Sequence, residues 1–155
     1  MLAFHGPTLV VDIGFDPNYK AGPNAVPVPG MSGIPALVDT GAGESCIDSV
    51  LASQLNLPIV DKRMTAGVHG AQEVSMHLAQ VHVPSMGITI TGAFAAVHLA
   101  AGGQLHHALI GRTFLRNVTM VYEGTTGSVT ISSADPVVVP TAVAPAAPPS
   151  APSTT

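Results

Sequence analysis

Charge is scarce in this chain. Asp, Glu, Lys and Arg make up 9% of its 155 residues, and its five Lys and Arg are scattered under a net charge of -4. That leaves no basic patch for nucleic acid. It also argues against electrostatic docking on anionic lipid, so the sequence predicts neither a nucleic-acid nor a membrane partner. The lone cysteine, Cys46, excludes an internal disulfide and permits a reducing compartment. Its apolar surroundings, with Ile47 next to it, point to an inert thiol rather than a nucleophile. Apolar stretches are interrupted by Gly, His or Pro well short of membrane-spanning length. Residues 1–7 have neither a charged start nor a long apolar segment, so no signal peptide and a cytoplasmic location are expected.

Other signatures are missing too. The seven histidines include no His-Glu-x-x-His. His77 and His82 are an odd number of residues apart and point to opposite faces of a regular strand, and the neighbours His106 and His107 also diverge. No metal site and no cofactor are expected. Gly102-Gly103 is not followed by Lys-Ser or Lys-Thr, which removes a phosphate-binding loop. No internal repeat is visible.

What the chain does have is apolar, breaker-rich sequence. Hydrophobic residues make up 46%, enough for one globular domain with a real core. Residues 8–14, 34–39, 88–99 and 105–111 read as β-rich strands, the third of them broken at Gly92. Residues 63–67 and 72–83 read as two arms of a hairpin, with Val74, Met76 and Leu78 alternating against Ser75, His77 and Ala79. Residues 118–122 and 128–132 form a second hairpin around two glycines. Asp48 suits the N-cap of a short helix over 49–55 that Asn56 can end and Pro58 cannot continue. Residues 15–33, dense in Pro and Gly, predict a long irregular loop. From residue 134 the Pro/Ala-rich sequence predicts a disordered tail, giving a domain over 1–133 and a tail over 134–155. The fold class expected is all-β, with one or two short helices.

Two stretches carry chemistry. Residues 36–42 read Ala-Leu-Val-Asp-Thr-Gly-Ala: a short apolar strand that delivers Asp39 to a turn, with the hydroxyl of Thr40 beside it and a tight path through Gly41. Residues 108–115 read Ala-Leu-Ile-Gly-Arg-Thr-Phe-Leu. The first stretch resembles the active-site loop of aspartic proteases. The second resembles the apolar-apolar-Gly-Arg element of retropepsins, their single-domain, retrovirus-type branch. Between them, Gly67-Val68-His69-Gly70 resembles the tip of the family's flap hairpin. The order and rough spacing of the three match the family over about residues 7–133.

The resemblance implies a closed acid-protease β-barrel with a flap, and an aspartic endopeptidase that needs no cofactor. Such enzymes use two carboxylates that share a proton. Only one Asp-Thr-Gly is present and Asp-Ser-Gly is absent, so the second carboxylate has to come from a homodimer, with Asp39 of each subunit activating a water against a polypeptide substrate. By the same resemblance Thr40, Gly41, Ala42, Gly111 and Arg112 support the site, and Val68, His69 and Gly70 cover the substrate. The chain departs from viral members in having Gly43 where an Asp commonly pairs with the arginine, which leaves Glu44, another carboxylate or backbone carbonyls for Arg112. It also lacks their run of flap glycines and has a longer loop over 15–33. The alternative reading is a catalytically inactive retropepsin-like domain used for peptide binding or dimerisation.

Overall fold

A computed structural model describes residues 5–67, 70–100 and 103–133. The flap-tip residues Val68 and His69 and the tail over 134–155 lie outside the described residues.

The strands are β1 (Thr8–Gly14), β2 (Met31–Val38), β3 (Cys46–Asp48), β4 (Ile59–Gly67), β5 (Gly70–Val83), β6 (Ile88–Val97), β7 (Ala108–Ile110), β8 (Val118–Glu123) and β9 (Ser128–Ser133). Two short helices, α1 (Ser49–Gln54) and α2 (Arg112–Leu115), interrupt them. The main sheet runs β1-β2-β7-β3-β6-β5-β4, and β1 also pairs with β5. That extra pairing closes six strands into a barrel and leaves β4 outside the ring. The β8–β9 hairpin forms a separate two-stranded sheet.

β5 explains both the closure and the flap. Its first half, up to His77, pairs with β4. Residues Gln80 to His82 on the same edge pair with β1 instead. The β4–β5 hairpin therefore leaves the barrel wall where β1 takes over its partner. The alternation expected along β5 holds only in part, because Val74, Met76, His77, Ala79, Gln80, Val81, His82 and Val83 are all buried. One face joins the barrel core through Ala79, Val81 and Val83. On the other face the polar groups find partners: His82 Nδ1 meets Thr89 Oγ1 at 2.9 Å, and Gln80 bonds the backbone of Asp16 in both directions. His77 Nδ1 lies 2.8 Å from Leu57 O, and since a carbonyl only accepts, that nitrogen carries the proton.

The core is apolar and built around the β-branched side chains of Val11, Ile13, Ile34, Ile47, Val81, Val83 and Ile110, with Phe94 and Phe114. Such side chains suit the interior face of a narrow barrel. The loop between β1 and β2 is three residues shorter than expected, because β2 begins at Met31 rather than at Ile34. Its ends are closed by Gly30 N–H donating to Ile13 O at 3.0 Å. They approach so closely that a Cβ on Gly14 would collide with Gly30 N.

Other boundaries also differ from expectation. β4 starts at Ile59, four residues early, because an exposed edge strand carrying Asp61, Lys62 and Arg63 has no buried face to give it away. β6 runs through Gly92, which pairs with Ala79 in register. β7 is shorter than 105–111, since only Ala108–Ile110 sit in the ladder. The helix α1 ends as expected: Asn56 takes a left-handed φ of 49°, and Leu57 N–H returns to Ala52 O at 3.1 Å.

Candidate active site

β2 and β7 lie side by side and parallel, with Ala36, Leu37 and Val38 opposite Ala108, Leu109 and Ile110. The two motifs of the sequence therefore meet, although about seventy residues separate them. Asp39 follows directly on β2. Its N–H donates to Ile110 O at 3.0 Å, and its Oδ1 accepts from Gly41 N–H at 2.8 Å. The carboxylate is half-buried, so it keeps access to solvent and to anything bound beside it.

The turn after Asp39 is laced to the start of α2. Arg112 N–H donates to Ala42 O at 2.9 Å, Thr113 N–H to Gly43 O at 3.2 Å, and Gly111 N–H to the Ser45 hydroxyl at 3.0 Å. Arg112 Nη1 donates to the carbonyls of Thr40 (3.0 Å) and Gly41 (2.9 Å). Of the partners left open for Arg112, the chain uses carbonyls; no ion pair to Arg112 occurs among the described residues. The guanidinium supplies several donors in a fixed fork, which suits it to gathering two adjacent carbonyls. Ser45, buried and bonded to Gly111, is a member of this site that the motif pattern did not single out.

Gly111 is dictated by space. A Cβ there would collide with Glu44 O and come within 2.7 Å of Glu44 C and 3.0 Å of Ala42 O. These are backbone atoms of the active-site turn and cannot swing aside. Gly111→Ala is expected to cost about 2–3 kcal/mol through this overpacking and to displace the Asp39 turn. Urea unfolding measures the cost, and a variant as stable as the parent would show that the turn yields freely.

Register places an apolar row on the outer face of the barrel. Leu37 faces Leu109, Leu109 faces Cys46, Cys46 faces Ala95, and Ala95 faces Met76. In-register neighbours share a face of the sheet, so this row runs from the strand before Asp39 across to the flap strand β5. Burial, and secondarily the Asp39 carboxylate, push the Cys46 thiol up to about 11. The thiol stays protonated at ordinary pH, which agrees with an inert cysteine, though it is half-buried and within the field of Asp39.

A groove of about 1060 Å³ lies between the flap strands and α1, bounded by Ser49, Thr65, Gln72, Val74, Val97 and His98 among others. Asp39 is not part of its wall, so the groove lies on the flap side of the site rather than at the carboxylate. Gly70 begins β5 with a φ of 99°, as a tight hairpin requires.

Residues 28–117 match the family described as gag-polyprotein putative aspartyl protease. The chain belongs to that family. The matched span takes in β2, the flap hairpin, β7 and α2, and so contains the Asp39 turn and the Gly111-Arg112 element described above. Among solved structures the chain is similar to EIAV protease complexed with the inhibitor HBY-793, at 20% identity over 72% of this chain and 86% of that one, with a TM-score of 0.45. No curated protein matches it.

Proposed function

We propose that the protein is an aspartic endopeptidase that works as a homodimer. The observation that carries this is Asp39 itself: a half-buried carboxylate at the end of β2, in a turn braced by Gly111 and Arg112, occurring once per chain. A water-activating pair needs two such groups, so a second copy supplies the other. With one proton between them, one carboxylate takes a proton from the attacking water while the other gives a proton to the substrate carbonyl. The proton taken from water then passes to the leaving nitrogen as the peptide bond breaks.

Each residue of the site has a part in this reading. Gly41 N–H holds Asp39 Oδ1, which fixes the carboxylate's rotation. Arg112 holds the Thr40 and Gly41 carbonyls, leaving the exposed Thr40 side chain available to a partner subunit. Ala42 O holds the Arg112 N–H beside the Asp39 turn, and the flap hairpin whose second arm begins at Gly70 covers the substrate.

The test is activity against concentration and pH. Specific activity on a peptide library is expected to fall as the protein is diluted through its dimer dissociation constant. The rate is expected to follow a bell-shaped, acid-to-neutral pH profile whose two limbs belong to the coupled pair. Full specific activity from a monomer shown by sedimentation would overturn the shared-carboxylate reading.

A further inference from the structure

A second cavity, of about 300 Å³, opens beside the strand that leads to Asp39. Its walls are His5, Leu37, Gly103, Gln104, Leu105 and His106. Leu37 places it: this residue lies two positions before Asp39, about 7 Å of extended chain, and belongs to the outer row that includes Leu109. Leu37 and Leu105 make an apolar flank, and His106, Gln104 and His5 make a polar one. None of the six carries a permanent charge.

The hydrogen bonds of His106 define what the polar flank offers. The Thr8 hydroxyl donates to Gly6 O at 3.1 Å, since a carbonyl can only accept. The same hydroxyl oxygen lies 2.7 Å from His106 Nε2, so it must accept there, and Nε2 carries the proton. In the neutral ring Nδ1 is then a bare acceptor. Among the described residues Nδ1 has no hydrogen-bond partner. Burial, aided by His5 and His107, holds the ring below the usual histidine range, so it stays neutral further into acid.

We infer that this cavity receives a substrate side chain flanking the scissile bond and selects one with an apolar stem and an uncharged, hydrogen-bond-donating tip, as in glutamine. The inference rests on the peptidase reading and names the specificity of that same site. A glutamine stem lies along Leu37 and Leu105 while its amide N–H meets His106 Nδ1. A glutamate carboxylate faces the lone pair of Nδ1 and loses solvation without gaining a donor from it. A leucine fills the apolar part and leaves the acceptor unpaired.

The experiment is cleavage of peptide libraries in which each residue flanking the scissile bond is fixed in turn as Gln, Glu or Leu. Glutamine is expected to exceed glutamate by at least about tenfold in kcat/KM at one of the two positions. His106→Leu is expected to collapse that ratio toward one and to raise the leucine peptides relative to both. Thr8→Val, which releases the tautomer while keeping the imidazole, is expected to lower the ratio as well. A purely structural role for the Thr8–His106 link would slow all peptides alike and leave the ratio unmoved. Cleavage without the glutamine preference, a preference for glutamate, or a ratio unchanged in both variants overturns the inference. Binding of the same peptides to Asp39→Asn protein, read by fluorescence anisotropy, separates the two readings. Absence of cleavage by the parent with the glutamine preference kept in binding removes the peptidase and leaves the pocket. Absence of both removes both.

Discussion

Asp39→Asn is expected to lower peptide cleavage by about a thousandfold or more while leaving the protein folded. The amide is nearly the same size and shape as the carboxylate, and its oxygen can still accept the Gly41 N–H that holds the side chain at 2.8 Å. The backbone bond from residue 39 to Ile110 O does not involve the side chain. On the proposed mechanism, what is lost is the ability to take a proton from water and to share one with a second copy's carboxylate. Kinetics should be run beside sedimentation and urea unfolding, because a dead but unfolded variant would say nothing about chemistry. Wild-type cleavage by a folded Asp39→Asn protein would remove this residue from the reaction, and the site would then be read as a peptide-binding or dimerisation module.

The parts of this site that the sequence made legible are those written as consecutive residues. Asp39-Thr40-Gly41 and Leu109-Ile110-Gly111-Arg112 are short motifs whose neighbours in the chain are also neighbours in space, so pattern alone locates them. The all-β class followed from many short β-rich segments separated by Gly and Pro, and its closure into a barrel from the family resemblance. What pattern could not give was partners distant in sequence and anonymous in type. Arg112 uses the carbonyls of Thr40 and Gly41, and a carbonyl exists at every residue, so no letter in the sequence marks it. Gln80 carried no mark within the arm over 72–83, yet its amide pairs with the backbone of Asp16 and ties the long loop to the barrel. The buried histidines hid for a related reason. His77, His82 and His106 each find one local acceptor or hydroxyl, which lets an imidazole sit where hydropathy predicts an apolar residue. The first four residues of β4 hid for the opposite reason, lying on an exposed edge with no buried face to give them a period.

Asp48 shows the same limit at its largest energetic scale, and it yields the second large effect. Its role as N-cap of α1 was readable: its carboxylate accepts from Leu51 N–H at 3.4 Å. Its other oxygen, however, accepts from Leu99 N–H at 3.0 Å and Ala100 N–H at 3.2 Å, about fifty residues away. One side chain, 2% exposed, thus fastens the helix, the end of β3 and the segment after β6. Asp48→Ala is expected to destabilise the protein by about 3–4 kcal/mol: roughly 1 for the cap and roughly 1–1.5 for each of the two long-range charged hydrogen bonds. Asp48→Asn, which keeps an oxygen acceptor, should cost about half as much. Burial alone would raise this carboxyl's pKa, but the N–H groups of Ala100, Leu99 and Leu51, with His107 nearby, outweigh it and hold the group below 3.8. The sign follows from that direction. A depressed folded-state pKa contributes stability that is fully present above the unfolded value of 3.8 and is lost as pH falls through the folded value. Urea unfolding at fixed protein concentration should therefore show the parent ahead of Asp48→Asn at pH 6, with the gap closing below pH 3.8. A gap that stays constant into strong acid would mean that Asp48 contributes through its shape and not its charge. The requirement bears directly on the proposed chemistry. A carboxylate pair working in acid has to hold a proton, while Asp48, nine residues along the same chain, gives its full support to the fold that presents Asp39 only while ionised. Three backbone N–H groups on Asp48 favour its ionised form and hold its pKa down, which keeps this support in place into acid.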